Sequence, residues 1–80
     1  MNIEADKIFL DVSELESPLP LQAILKILQQ GLNDKKLIVT HRLEPLGLYP
    51  YLDKLCLNYS CIKENELYII TIWKKNEPID

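Results

Sequence analysis

The stretch from Ile8 to His41 constrains this chain most, because two strand-like runs bracket a single helical stripe with few residues to spare between them. Ile8-Phe9-Leu10-Asp11-Val12 is a short apolar run with branched and aromatic residues, bounded by polar ones, and reads as a strand. Leu21, Ile24, Leu25, Leu28 and Leu32 then recur at helical spacing, with Gln22, Lys26 and Gln29 off the stripe. Ser17-Pro18 marks the start of this helix, a preferred cap followed by proline where no N–H is needed, with Pro20 still in the first turn. Gly31 supplies the left-handed residue that ends it. Lys36 to His41 is a second strand. So short a strand, helix and strand unit implies a right-handed crossover and a parallel pair.

Beyond it, Leu48, Leu52 and Leu55 repeat at helical spacing, with Pro45 and Pro50 placed near the helix start. This second helix is expected to end at Cys56 or Leu57, with Asn58 in the left-handed closing position. Two strands follow, roughly Tyr59 to Lys63 and Glu66 to Lys75, joined by a tight turn at Glu64-Asn65. The expected fold is an α+β two-layer sandwich of order β-α-β-α-β-β, a mixed four-stranded sheet with both helices on one face. Leu21, Ile24, Leu25, Leu28, Leu48, Leu52 and Leu55 should face that sheet. With 80 residues, 48% of them hydrophobic, the chain is one domain with one modest core, about residues 8–75, and a loose end at 76–80.

The last strand is apolar on both faces, Leu67, Ile69, Thr71 and Trp73 on one side and Tyr68, Ile70 and Ile72 on the other. Two helices cover only one face of four strands. The Tyr68, Ile70 and Ile72 row is therefore assigned to an open face that binds a protein partner or a second copy.

A net charge of −3 leaves no footprint for a phosphate backbone, which argues against nucleic acid. Apolar runs such as Leu37 to Val39 fall far below the roughly 20 residues that span a bilayer, so no membrane is expected. Met1 to Lys7 lacks the basic start and apolar block of a signal peptide, which makes a reducing cytoplasm the expected compartment and Cys56 and Cys61 free thiols. Those cysteines with His41 have neither a recurring zinc spacing nor a fourth ligand, so no metal is assigned, and no cofactor motif stands out.

The carboxyl ends of parallel strands and the start of the crossover helix share one edge, the usual place for a ligand in α/β proteins. That edge receives Ser17 after the first strand and His41-Arg42 after the second, groups suited to a small anion. Candidate ligand residues are Ser17, His41, Arg42, Glu44 and Tyr49. Each has a plainer reading: Ser17 as a helix cap, His41 as a hydrogen-bonding strand end, Arg42 and Glu44 as a surface pair, Tyr49 and Tyr51 as cover for the second helix start. No Gly-x-Ser-x-Gly elbow surrounds Ser17, and no carboxylate is identifiable to orient the single histidine.

Leu10-Asp11-Val12, Leu15 and Ser17-Pro18-Leu19-Pro20 with the following helix resemble the signature of the TusA/SirA-like sulfur carriers, over Phe9 to Lys75. In that family a Cys-Pro-x-Pro element opens the first helix and its cysteine carries a persulfide. Ser17 stands in the cysteine's place, and a hydroxyl cannot form a persulfide. His41-Arg42-Leu43-Glu44-Pro45-Leu46-Gly47-Leu48-Tyr49-Pro50 is similar to a His-x-x-x-Pro-x-x-Leu-Tyr-Pro element of an uncharacterised group of TusA-like domains that often lacks the cysteine. Leu57-Asn58 departs from the glycine expected there after the second helix. Ser17 in the cysteine's place, together with the surplus apolar surface of the last strand, points to a small non-catalytic module on a TusA-like scaffold that binds a partner protein, with the first helix start as the candidate place for a small anion or ligand. The alternatives are a sulfur-relay or redox protein using Cys56 or Cys61, and a hydrolase using Ser17 and His41.

Overall fold

The computed structural model describes residues 7–75. The expected loose end at 76–80 and all but Lys7 of the Met1 to Lys7 leader reading lie outside the described residues. The order is β1 (Lys7–Asp11), α1 (Leu19–Gln30), β2 (Lys36–His41), a 3-10 turn (Leu46–Leu48), α2 (Tyr49–Lys54), β3 (Leu57–Glu64) and β4 (Leu67–Lys74). One four-stranded sheet runs β1-β2-β4-β3. β1 and β2 are parallel, with Ile8 opposite Leu37 and Leu10 opposite Val39, as the short crossover requires. β4 is antiparallel to both of its neighbours.

Both helices lie on one face, in a two-layer α+β sandwich. Ile24 of α1 and Leu52 of α2 share a core with Leu48, Leu37, Val39, Ile70 and Ile72, all shielded from solvent. Leu21, Leu25 and Leu28 pack against it from α1, and Ile8, Leu10, Tyr59, Cys61 and Tyr68 from the strands. Strand residues two apart share a face, so this set fixes the covered side of every strand.

The same parity corrects the assignment of the open face. Ile70 and Ile72 are fully buried and Tyr68 packs against the core, so their row is the covered one. The uncovered row is Leu67, Ile69, Thr71 and Trp73, joined by Ile38, the 63% exposed Phe9 and the 57% exposed Ile62. An alternating strand with two apolar rows states that there are two faces without stating which one a helix covers.

Helix ends also differ from expectation. α1 begins at Leu19 with Pro18 in the cap position and no side-chain cap bond, so Ser17 is not the cap. Proline in the first turn is Pro20, which is buried. Gly31, at φ 91°, closes the helix as expected, its N–H bonded to the Leu28 carbonyl. α2 stops at Lys54, leaving Leu55 half exposed rather than on the sheet-facing stripe. Cys56, at φ 61°, takes the left-handed position expected of Asn58. The hairpin turn sits one residue later than expected, at Asn65-Glu66, with Asn65 at φ 59°.

Candidate functional site

A cavity of about 290 Å³ opens where the carboxyl ends of β1 and β2 meet the start of α1 and the loop into α2. Ser17, His41, Arg42 and Glu44 line it, and Leu15, Pro20, Leu21, Ile24, Leu43, Leu46 and Leu48 supply apolar walls. Local chemistry builds both rims. On the first, Val12 donates to the Thr40 carbonyl at 2.9 Å, extending the parallel ladder by one step. The Asp11 carboxylate then accepts the Ser13 N–H at 2.9 Å and the Ser13 hydroxyl at 2.6 Å, folding the chain back toward α1. These bonds, the hydroxyl's foremost, hold the Asp11 carboxyl below its ordinary range.

On the second rim, the Leu43 N–H donates to His41 Nδ1 at 3.1 Å. Nδ1 is thus an acceptor, and the neutral ring carries its proton on Nε2. Burial first, and the Arg42 guanidinium second, push the His41 pKa below its ordinary value, so the ring is neutral at pH 7. A serine hydrolase needs the opposite arrangement, with Nδ1–H held by a carboxylate and the Nε2 lone pair facing the nucleophile. Arg42 lines the cavity, its guanidinium donating to the Leu15 carbonyl at 3.4 Å, a long contact that leaves most of its five donors unengaged among the described residues. Leu43 and Leu46 stand 62% and 65% exposed at the lip.

Tyr49 lies outside this cleft. Its hydroxyl donates to Glu44 at 3.0 Å, and its ring stacks on Tyr59 at 4.4 Å between centroids, 7° from parallel. Burial, then Cys61 and Glu44 beside it, raise the Tyr49 pKa far above its ordinary value, so it remains a donor at any physiological pH. The role of Tyr49 is therefore to hold Glu44 and to seat α2 on β3.

The helix start contributes less than its topology suggests. Leu19 N–H is bonded to the Glu16 carbonyl, Pro20 has no N–H, and Gln22 N–H is bonded to the Pro18 carbonyl. Of the first-turn N–H groups of α1, only that of Leu21 is without a backbone acceptor among the described residues. The polar side chains of the lining are those of Ser17, His41, Arg42 and Glu44. The apolar walls were not legible beforehand, because Leu15, Leu43 and Leu46 belong to no periodic stripe and come together only through the two loops.

Cys56 is exposed at the end of α2 and Cys61 half-buried on β3, and neither lines the cleft. No group of three or more His, Cys, Asp or Glu side chains gathers in metal-binding geometry among the described residues. No helix among them is long and apolar enough to cross a membrane. Compared with known proteins, the chain matches no family model, no curated protein and no solved structure.

Proposed function

We propose that this chain is a small non-catalytic binding module whose cleft takes an organic anion with an apolar body, such as a short aliphatic carboxylate. The observation that carries this reading is the pairing of the Arg42 guanidinium and the His41 Nε2–H donor with walls made largely of leucine and proline, the one carboxylate of the lining, Glu44, being engaged by the Tyr49 hydroxyl. Arg42 would receive the charged head in bidentate fashion, and burial of the apolar body would supply the remaining affinity. Inorganic anions fit less well, since the helix start offers a single N–H and nothing encloses the ion.

The Ser17-Pro18-Leu19-Pro20 element supports a scaffold of the sulfur-carrier kind that has given up the sulfur-bearing thiol. The lone-pair arrangement at His41 supports a site that binds rather than hydrolyses.

Titration with acetate, hexanoate, hexanol and sulfate, followed by backbone amide shifts, tests the proposal. Hexanoate should move amides at residues 15–24 and 41–48 at lower concentration than acetate, sulfate or hexanol does. Arg42→Ala should weaken hexanoate about tenfold, the range for losing one charge-assisted pair. Equal responses to hexanol and hexanoate would remove Arg42 from the reading, and silence of the cleft amides would remove the reading itself.

A further inference from the structure

The uncovered sheet face is a second feature, independent of the cleft, and its charges are arranged in a pattern. Strand register places Lys7 beside Lys36 at one end of this face, with Trp73 next in the row and the Lys36 ammonium 5.6 Å from its ring centroid. Asp11 stands at the other end of β1, and Glu64 at the corresponding end of β3. The middle row of the face runs Phe9, Ile38, Thr71 and Ser60, and the row of Asp11 continues through Thr40 to Ile69 and Ile62. Lysines therefore stand at one end of β1 and β2 and carboxylates at the other end of β1 and β3, and between them Phe9 is 63% exposed while Ile38 is half-buried.

We propose that this face is the interface of a homodimer, two sheets packed face to face about a two-fold axis that lies between them and runs across the strands. Such an axis reverses strand direction, so Lys7 meets the partner's Asp11 and Asp11 the partner's Lys7, while Phe9 and Ile38 meet their own copies. An axis running along the strands would instead set Asp11 over the partner's Ile62, burying a carboxylate without a mate. The charge pattern thus selects one of the two face-to-face arrangements. Asp11 is prepared for the contact, because Ser13 engages only Oδ1 and leaves Oδ2 to a lysine. Four strands spaced about 4.8 Å apart and about six residues long give a face roughly 19 Å by 20 Å. That is about half of the roughly 800 Å² per partner of a standard interface, so the dimer is a weak, exchanging one.

Sedimentation equilibrium on the full chain from about 1 μM to 1 mM measures it. The wild type should dimerise within that range, and Phe9→Glu should raise the dissociation constant at least tenfold by placing two carboxylates on the axis. Lys7→Glu should weaken association about fivefold through two like-charge contacts, and Lys7→Glu with Asp11→Lys should restore the wild-type constant within about twofold. A wild-type chain that stays monomeric at 1 mM overturns the proposal and assigns the face to the chain's own ends or to another protein. A dimer indifferent to Phe9→Glu, or one the charge swap does not restore while its circular dichroism stays native, overturns the face or the axis.

Discussion

His41 joins the fold to the cleft, because its Nδ1 holds the Leu43 N–H and its ring lines the cavity. Its folded-state pKa lies below its ordinary value near 6.5, burial being the larger cause and Arg42 the smaller. The unfolded chain therefore binds more protons than the folded one once pH falls below about 6.5, so stability declines with falling pH through that window and is regained above it. Protonation also converts Nδ1 to a donor and breaks its bond from Leu43. Urea midpoints should drop between pH 7.5 and pH 5.5 in the wild type. His41→Asn, whose amide oxygen can stand in for Nδ1, should flatten that drop; an unchanged slope would place the titration elsewhere. Asp11, whose folded pKa is also depressed, contributes stability above its ordinary 3.8 that is lost in more acid solution, outside this window.

At the scale of elements, α2 shows how a short helix is justified by two buried leucines. It is only six residues long and could not persist alone in water. Leu48 and Leu52 are sealed in the core, whereas Leu55 lies past the last helical residue and is half exposed. Leu52→Ala should cost about 2–5 kcal/mol and Leu55→Ala under about 1 kcal/mol, measured by urea denaturation. Comparable losses at both positions would mean α2 extends through Leu55 in solution. The same helix marks the boundary of what could be read from the residues. The β1, α1, β2 unit was legible because the apolar stripe, the strand runs and Gly31 agree with one another. The end of α2 was not, because the left-handed residue is Cys56, a type that rarely takes it, and the i+7 leucine suggested one more turn. The helix start misled for a related reason: Ser17-Pro18 is a fair cap signal, yet Pro20 fits the first turn equally well and shifts the start to Leu19. In the cleft, Ser17, His41 and Arg42 could be placed at one edge by connectivity alone, whereas the place of Glu44 in the lining depended on the loop that follows them. The exclusion of Tyr49 depended on its stacking with Tyr59, a contact between elements that no local pattern encodes.

For the whole molecule, one sheet with helices on one side makes each layer dependent on the other. α1, with 12 residues, and α2, with six, are too short to stand alone, and the sheet without them would expose Leu37, Val39, Ile70 and Ile72 to water on its second face as well. Neither layer has a core of its own, so unfolding should be a single cooperative step. The two layers carry separate reporters. Trp73, the chain's one tryptophan, lies on the uncovered sheet face and its fluorescence follows the sheet, while ellipticity at 222 nm follows the helices. At low micromolar protein, where association contributes least, the two signals should give the same urea midpoint and the same slope. A fluorescence transition that precedes the loss of ellipticity would show the sheet loosening while helices persist, against a core shared by both layers. Raising the protein concentration to several hundred micromolar should move both midpoints upward together, because association at the Trp73 face adds mass-action stability to the whole fold and not to one layer.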